Sequence, residues 1–180
     1  MRVFIAIQLP KELRGNVQKV QEDFSKIGKL KLVEKENFHL TLKFLGEISE
    51  EEKKKVVEIL IEKIKFKNFC ITLKGVGVFP SKNYVRVIWV GVEEGKKEVI
   101  ELQKSIDKSL YEVKFKKDEK FHPHITLARV KWIDKNKLKE LLEKYKDKNF
   151  GNFTVSSIDV MKSELRARGP VYSLLKRIQL

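Results

Sequence analysis

Apolar positions recur along this chain in two rhythms. Short runs dense in β-branched and aromatic residues read as strands: VFIAIQL (Val3–Leu9), NFHLTLKFLG (Asn37–Gly46), FCITLKGVGVFP (Phe69–Pro80) and YVRVIWVGV (Tyr84–Val92). The SKN of Ser81–Asn83 joins the last two as a hairpin. Between strands, apolar residues return every three or four positions among Lys and Glu, which predicts helices. One follows Pro10 to about Ile27, one occupies SEEEKKKVVEILIEKI (Ser49–Ile64), and one runs from about Glu94 to Leu110. Pro10 suits a first helical turn, and Ser49 with Glu52 forms a capping-box pattern.

The pattern then recurs. FHPHITLARV (Phe121–Val130) is a strand, DKNKLKELLEKYK (Asp134–Lys146) a helix capped by Asp134, and FTVSSIDVMKSEL and YSLLKRI are two further strands. Each half thus holds a strand with an HxTL motif, a helix, then two strands. The expected fold is α+β, two pseudo-symmetric lobes in one bilobal domain over residues 1–180.

The motifs are HLTL at His39–Leu42 and HITL at His124–Leu127, and they use two of only three histidines. Strand alternation turns His39 and Thr41 to one face, Leu40 and Leu42 to the other, and likewise His124 and Thr126 against Ile125 and Leu127. The leucines face a core. If the lobes are related by a pseudo-twofold, both His/Thr pairs meet across one cleft. Two imidazoles flanking a substrate can serve as general acid and general base near neutral pH. Two threonine hydroxyls can hold phosphoryl oxygens, and that set suffices to open a strained cyclic phosphodiester. The third histidine, His122, shares parity with His124, but Pro123 lies between them and no carboxylate or cysteine accompanies them, so a solvent-facing ring is expected rather than a metal ligand.

Composition narrows the partner. Thirty-nine Lys and Arg against 25 Asp and Glu leave a net charge of +14, which favours an anionic partner: RNA, DNA or an acidic membrane surface. Much of the excess is lysine mixed with glutamate on helix faces, a composition that also suits a hot environment. The one cysteine, Cys70, excludes an intramolecular disulfide or a cysteine zinc site, and its apolar run predicts a buried, inert thiol. The opening MRVFIAIQLP is too short for a signal peptide or a membrane span, so a soluble cytoplasmic protein is expected. No P-loop pattern occurs, and GVG at Gly75–Gly77 is too sparse to cradle phosphate. KFLG at Lys43 is similar to the lysine motif of ATP-dependent ligases but lacks its acidic residue.

Across nearly its whole length the sequence resembles the RNA 2′,3′-cyclic phosphodiesterase family, also called 2′-5′ RNA ligases, of the two-histidine phosphoesterase superfamily. The resemblance rests on the paired HxTL motifs, and on RVFIAI, NFHLTLKFLGE, GVFPS, RVIWVGV, FHPHITLARV and SELRARGPVYSLL. It implies two antiparallel sheets lining a cleft, with helices outside. It also implies metal-free and cofactor-free opening of a terminal RNA 2′,3′-cyclic phosphate to a 2′-phosphate. On that pattern His39 is the proton donor to O3′, His124 the proton acceptor from water, and Thr41 and Thr126 bind phosphate; symmetry leaves the acid and base roles exchangeable. Arg129 matches a phosphate-contacting Arg and Phe44 an aromatic near the base. Both lie five residues after their histidine, so strict alternation turns them away unless a bulge or strand end re-aims them. A buried unpartnered Arg129 is costly, which favours the cleft; for Phe44 core packing and base stacking stay open. Arg86 is a further candidate for the anionic cleft. The expected partner is RNA with a cyclic phosphate end, from tRNA fragments or shorter oligonucleotides, bound by a monomer without a membrane. Alternative readings are ATP-independent 2′-5′ joining at the same site, a non-catalytic basic RNA-binding module, and a metallohydrolase.

Overall fold

The computed structural model describes residues 1–167 and 169–180. Along the described chain run β1 (Arg2–Gln8), α1 (Lys11–Ser25), β2 (Gly28–Leu32), a 3-10 turn (Lys35–Asn37), β3 (His39–Glu47), α2 (Glu50–Lys63) and β4 (Phe69–Pro80). There follow β5 (Val85–Val92), α3 (Lys96–Tyr111), β6 (His124–Ile133), α4 (Lys135–Tyr145), β7 (Asn149–Val155), β8 (Ser157–Arg166) and β9 (Gly169–Gln179). The expected caps form. Ser49 Oγ accepts from the Glu52 amide and the Glu52 carboxylate accepts from the Ser49 amide at the start of α2; Asp134 accepts from the Asn136 and Lys137 amides at α4.

The fold is α+β and every described strand pair is antiparallel. The strand order is β7-β4-β5-β6-β3-β1-β8-β9, with β2 also on β6. That order is a palindrome under the exchange of β3 with β6, β1 with β5, β8 with β4 and β9 with β7. The two lobes are therefore halves of one curled sheet, joined where Leu40 of β3 pairs with Ile125 of β6. These are the same position of the two motifs, which is what a twofold axis through the seam requires.

The repeat is strand–helix–strand–helix, β1-α1-β3-α2 against β5-α3-β6-α4, and it differs from the expected motif strand, helix and two strands. After α2 the chain crosses to the other half to make β4 and β5; after β7 it crosses back. FTVSSIDVMKSEL is accordingly two strands, broken at Ser156. The buried parity shifts there, from Val155 to Ile158 and Val160. β2 also goes beyond the expected elements, because GKLKL buries only Leu30 in part and reads as polar. Cys70 is exposed rather than buried: its strand pairs Cys70 with Thr154 near the sheet margin, and the side chain points outward.

One face of the sheet and the four helices enclose the core, including Ile5, Phe24, Phe38, Leu40, Leu42, Ile125, Leu127 and Phe150, all within 1% of complete burial. Removing each such side chain from water contributes about 1.5–3 kcal/mol. The helices cross over: α1, between β1 and β3, packs against β2, β6 and β7, while α3, between β5 and β6, packs against β3. Each half thus rests on a helix that the other half's strands bracket.

Candidate active site

The other face of the sheet carries both HxT pairs. His39 and Thr41 on β3, and His124 and Thr126 on β6, line one cleft of about 300 Å³ that straddles the seam. Alternation in each HxTL strand sends the intervening leucine or isoleucine into the core, so the polar pair has only the cleft face available.

Both rings are fixed in orientation by backbone. His39 Nδ1 lies 2.7 Å from the Asn37 carbonyl oxygen and His124 Nδ1 lies 2.6 Å from that of His122. A carbonyl only accepts, so each Nδ1 carries the proton and each neutral ring presents Nε2 as the acceptor. His39 Nε2 is 2.9 Å from Thr41 Oγ1, whose hydroxyl donates to it in the neutral state. Aromatic rings back each imidazole. Phe4 and Tyr172 stand 4.9 and 5.4 Å from the His39 ring; Phe79 and Trp89 stand 5.0 and 6.2 Å from that of His124. Burial lowers both histidine pKa values from the ordinary imidazole range, against the pull of the backbone carbonyls, and a positive His124 lowers His39 further.

Phe44 and Arg129 also reach the cleft, through matched bulges. On β3 the register with β1 slips so that Leu42 is the extra residue; on β6 the register with β5 slips at Leu127. Leu42 and Lys43, like Leu127 and Ala128, then both turn inward, and the fifth position after each histidine returns to the cleft face. Phe44 is 69% exposed, which rules out its packing in the core.

The remaining candidates lie elsewhere. Arg86 is outside the cleft, its guanidinium donating to the Tyr84 hydroxyl at 2.7 and 2.9 Å. His122 is exposed and leans on Trp89 with ring centroids 4.9 Å apart. Among the described residues no group of three or more His, Cys, Asp or Glu side chains is arranged to hold a metal ion. Lys43 points away from the cleft, its ammonium donating to Asp107 at 2.5 Å and to the Lys116 carbonyl at 2.7 Å. No described helix is long and apolar enough to cross a membrane.

Tyr172, Asn37 and Lys31 also line the cleft, and residue patterns alone do not single them out. Tyr172 belongs to β9, which reaches the site only through the β1–β8–β9 pairing. Asn37 acts twice: its carbonyl orients His39, and its amide donates to the Pro170 carbonyl at 3.2 Å, fastening the β8–β9 hairpin to the cleft rim.

Residues 3–180 match the family described as the AKAP7 2'5' RNA ligase-like domain. An RNA 2',3'-cyclic phosphodiesterase of Methanocaldococcus jannaschii is 45% identical, with 98% of this chain and 99% of the relative covered. One of Aquifex aeolicus is 34% identical, over 100% and 97%. Among solved structures, TT0787 of Thermus thermophilus superposes with a TM-score of 0.84 at 29% identity, covering 100% of this chain and 98% of that one. Escherichia coli LigT complexed with 3'-AMP gives 0.79 at 27% identity, covering 99% and 97%. A full-length match of this kind, on a sheet whose halves meet at two HxT strands, means that the chain belongs to the AKAP7 2'5' RNA ligase-like family and has the fold of the LigT-like phosphoesterases.

Proposed function

We propose that this protein is an RNA 2′,3′-cyclic phosphodiesterase that opens the cyclic end to a 2′-phosphate by two-histidine acid–base catalysis. The observation that carries the reading is that both HxT pairs line one cleft with each Nε2 unengaged by backbone. Relatives named RNA 2',3'-cyclic phosphodiesterase at 33–45% identity support it.

Water attacks phosphorus in line as His124 Nε2 takes its proton. The P–O3′ bond breaks as His39 Nε2–H protonates the departing oxygen, and the 2′-ester remains. Thr41, Thr126 and Arg129 hold the nonbridging oxygens, where charge concentrates in the transition state. The base of the terminal nucleotide stacks on Phe44. No step calls for a metal ion or nucleotide cofactor. With a 5′-hydroxyl in place of water, the same step breaks the P–O3′ bond, joins the hydroxyl oxygen to phosphorus and leaves a 2′-5′ linkage, the product that the family's ligase name describes.

The test is turnover, in EDTA, of a short RNA ending in a 2′,3′-cyclic phosphate, with 2′- and 3′-phosphate products resolved. Wild type should release the 2′-phosphate. His39→Ala and His124→Ala should each lose roughly 10²–10⁴-fold in rate. A 5′-hydroxyl RNA in the mixture reports joining. Full activity in either variant, or activity only with added metal, overturns the mechanism.

A further inference from the structure

The cleft does not end at Arg129. Antiparallel partners share a face, and Lys31 of β2 is paired with Arg129 of β6, both lining the cleft. Two positions further along β2, on the same face, Lys29 is paired with Trp132. Leu30 and Val130 between them pack into the core, which fixes the outward direction of the other four. Trp132 is 63% exposed. Beside it a shallow depression is edged by Lys29, Lys137 and Lys26, the last paired with Asp23 at 3.4 Å. Its one carboxylate, Asp134, is engaged by the Asn136 and Lys137 amides.

Among the described residues, the two ends of the cleft differ in how their cations are paired. Toward β1 and β8, Arg2 pairs with Glu47 at 3.6 Å, Lys162 with Glu164 at 2.7 Å, and Arg166 with Glu164 at 3.6 Å. Toward β2 and β6, Lys29, Lys31, Lys131 and Arg129 have no carboxylate partner among the described residues. Lysines alone have a plain explanation there, since they discourage pairing along an edge strand. An exposed indole among them has the opposite tendency and is left unexplained. A basic stripe with a bare aromatic ring is how proteins hold single-stranded nucleic acid: cations track phosphates and the ring stacks on a base.

We propose that the β2–β6 ribbon is the track for the RNA chain upstream of the cyclic end, with Lys31 and Lys29 contacting successive phosphates and Trp132 stacking on an upstream base. The proposal rests on the cyclic phosphodiesterase reading. Five residues of strand separate Thr126 from Trp132, roughly 15–20 Å, so the ring meets a base roughly two to four nucleotides from the end. The enzyme then prefers an oligonucleotide to a shorter substrate ending in the same phosphate.

The experiment compares a dinucleotide and a hexanucleotide, both ending in a 2′,3′-cyclic phosphate, in wild type, Trp132→Ala, Trp132→Phe and the Lys29→Ala/Lys31→Ala double variant. Direct binding of a hexanucleotide ending in a 2′-phosphate is measured beside turnover. Trp132→Ala should raise KM for the hexanucleotide about tenfold, leave its kcat unchanged and leave the dinucleotide untouched; Trp132→Phe should restore most of the loss. The lysine double variant should flatten the salt dependence of hexanucleotide binding by about 0.7 in log–log slope for each phosphate no longer engaged. Unchanged hexanucleotide KM in an active enzyme overturns the track while leaving the activity intact. Equal losses on both substrates also overturn it. If wild type hydrolyses neither, the activity reading fails, and the binding arm alone decides: unchanged hexanucleotide affinity in Trp132→Ala removes the track as well.

Discussion

Each cleft histidine is a polar ring set among apolar ones, and this fixes the expected pH behaviour. Burial favours the neutral imidazole, so both pKa values lie below the usual value of about 6.5. Charge on His124 opposes charge on His39, so the pair holds one proton more readily than two. An acid–base pair is active when one ring is protonated and the other neutral. The acid therefore loses its proton at a lower pH than a solvated histidine would, and the alkaline limb moves down. The profile of kcat/KM should be a bell whose alkaline limb falls below about pH 6.5; a limb above 7 contradicts the burial argument. The paired motifs were legible because strand alternation alone puts His and Thr on one face. The aim of Phe44 was not, since one extra residue in its strand reverses it; for Arg129 alternation pointed away and only the cost of burying an unpartnered guanidinium favoured the cleft. Nor was Asn37, which acts on His39 through a carbonyl that every residue possesses.

At the scale of elements, the two bulges are what bring Phe44 and Arg129 to the cleft, and each is held from beneath by the crossing helix. Under β6, Gln21 of α1 donates to the carbonyls of Leu127 and Val33 at 2.8 and 2.7 Å. Under β3, Asp107 of α3 takes the ammonium of Lys43, their side chains 8% and 2% exposed; Gln103 and the Asp118 amide complete the carboxylate's bonds at 3.0 and 2.9 Å. Removing one partner of a buried ion pair leaves the other charge uncompensated. Lys43→Ala should therefore destabilise the protein by about 3–5 kcal/mol, read by thermal or denaturant unfolding; a change under about 1 kcal/mol would mean that Asp107 escapes to water. Gln21→Leu should cost about 1–3 kcal/mol and lower kcat/KM more than its stability loss explains, because the Arg129 bulge loosens. Helices and their caps were readable in Ser49, Glu52 and Asp134, whose signals are local. β2 and the break at Ser156 were not, because the pairing of GKLKL with β6 and the crossing between halves are long-range choices.

For the molecule as a whole, charge and topology set the terms of encounter. A chain of net charge +14 draws a polyanion from a distance, and added salt weakens that draw. kcat/KM on RNA should fall with salt, with a log–log slope of about −0.7 for each phosphate engaged. A flat profile would place the charge on surfaces that RNA does not visit. The internal duplication was legible as a repeat, yet its seam was not: no residue in HLTL or HITL announces that Leu40 and Ile125 will pair. The palindromic sheet also bears on how the protein is made. β1 and β3 precede β4, β5 and β6 along the chain, but β8 and β9, which shield β1 and bring Tyr172 against His39, follow them all. The half begun earliest is thus the half finished last. A nascent chain halted before β8 has both histidines but lacks the cleft wall of Ser163, Leu165 and Tyr172, so on the proposed function the site should stay silent while the protein is still attached to the RNA machine that builds it.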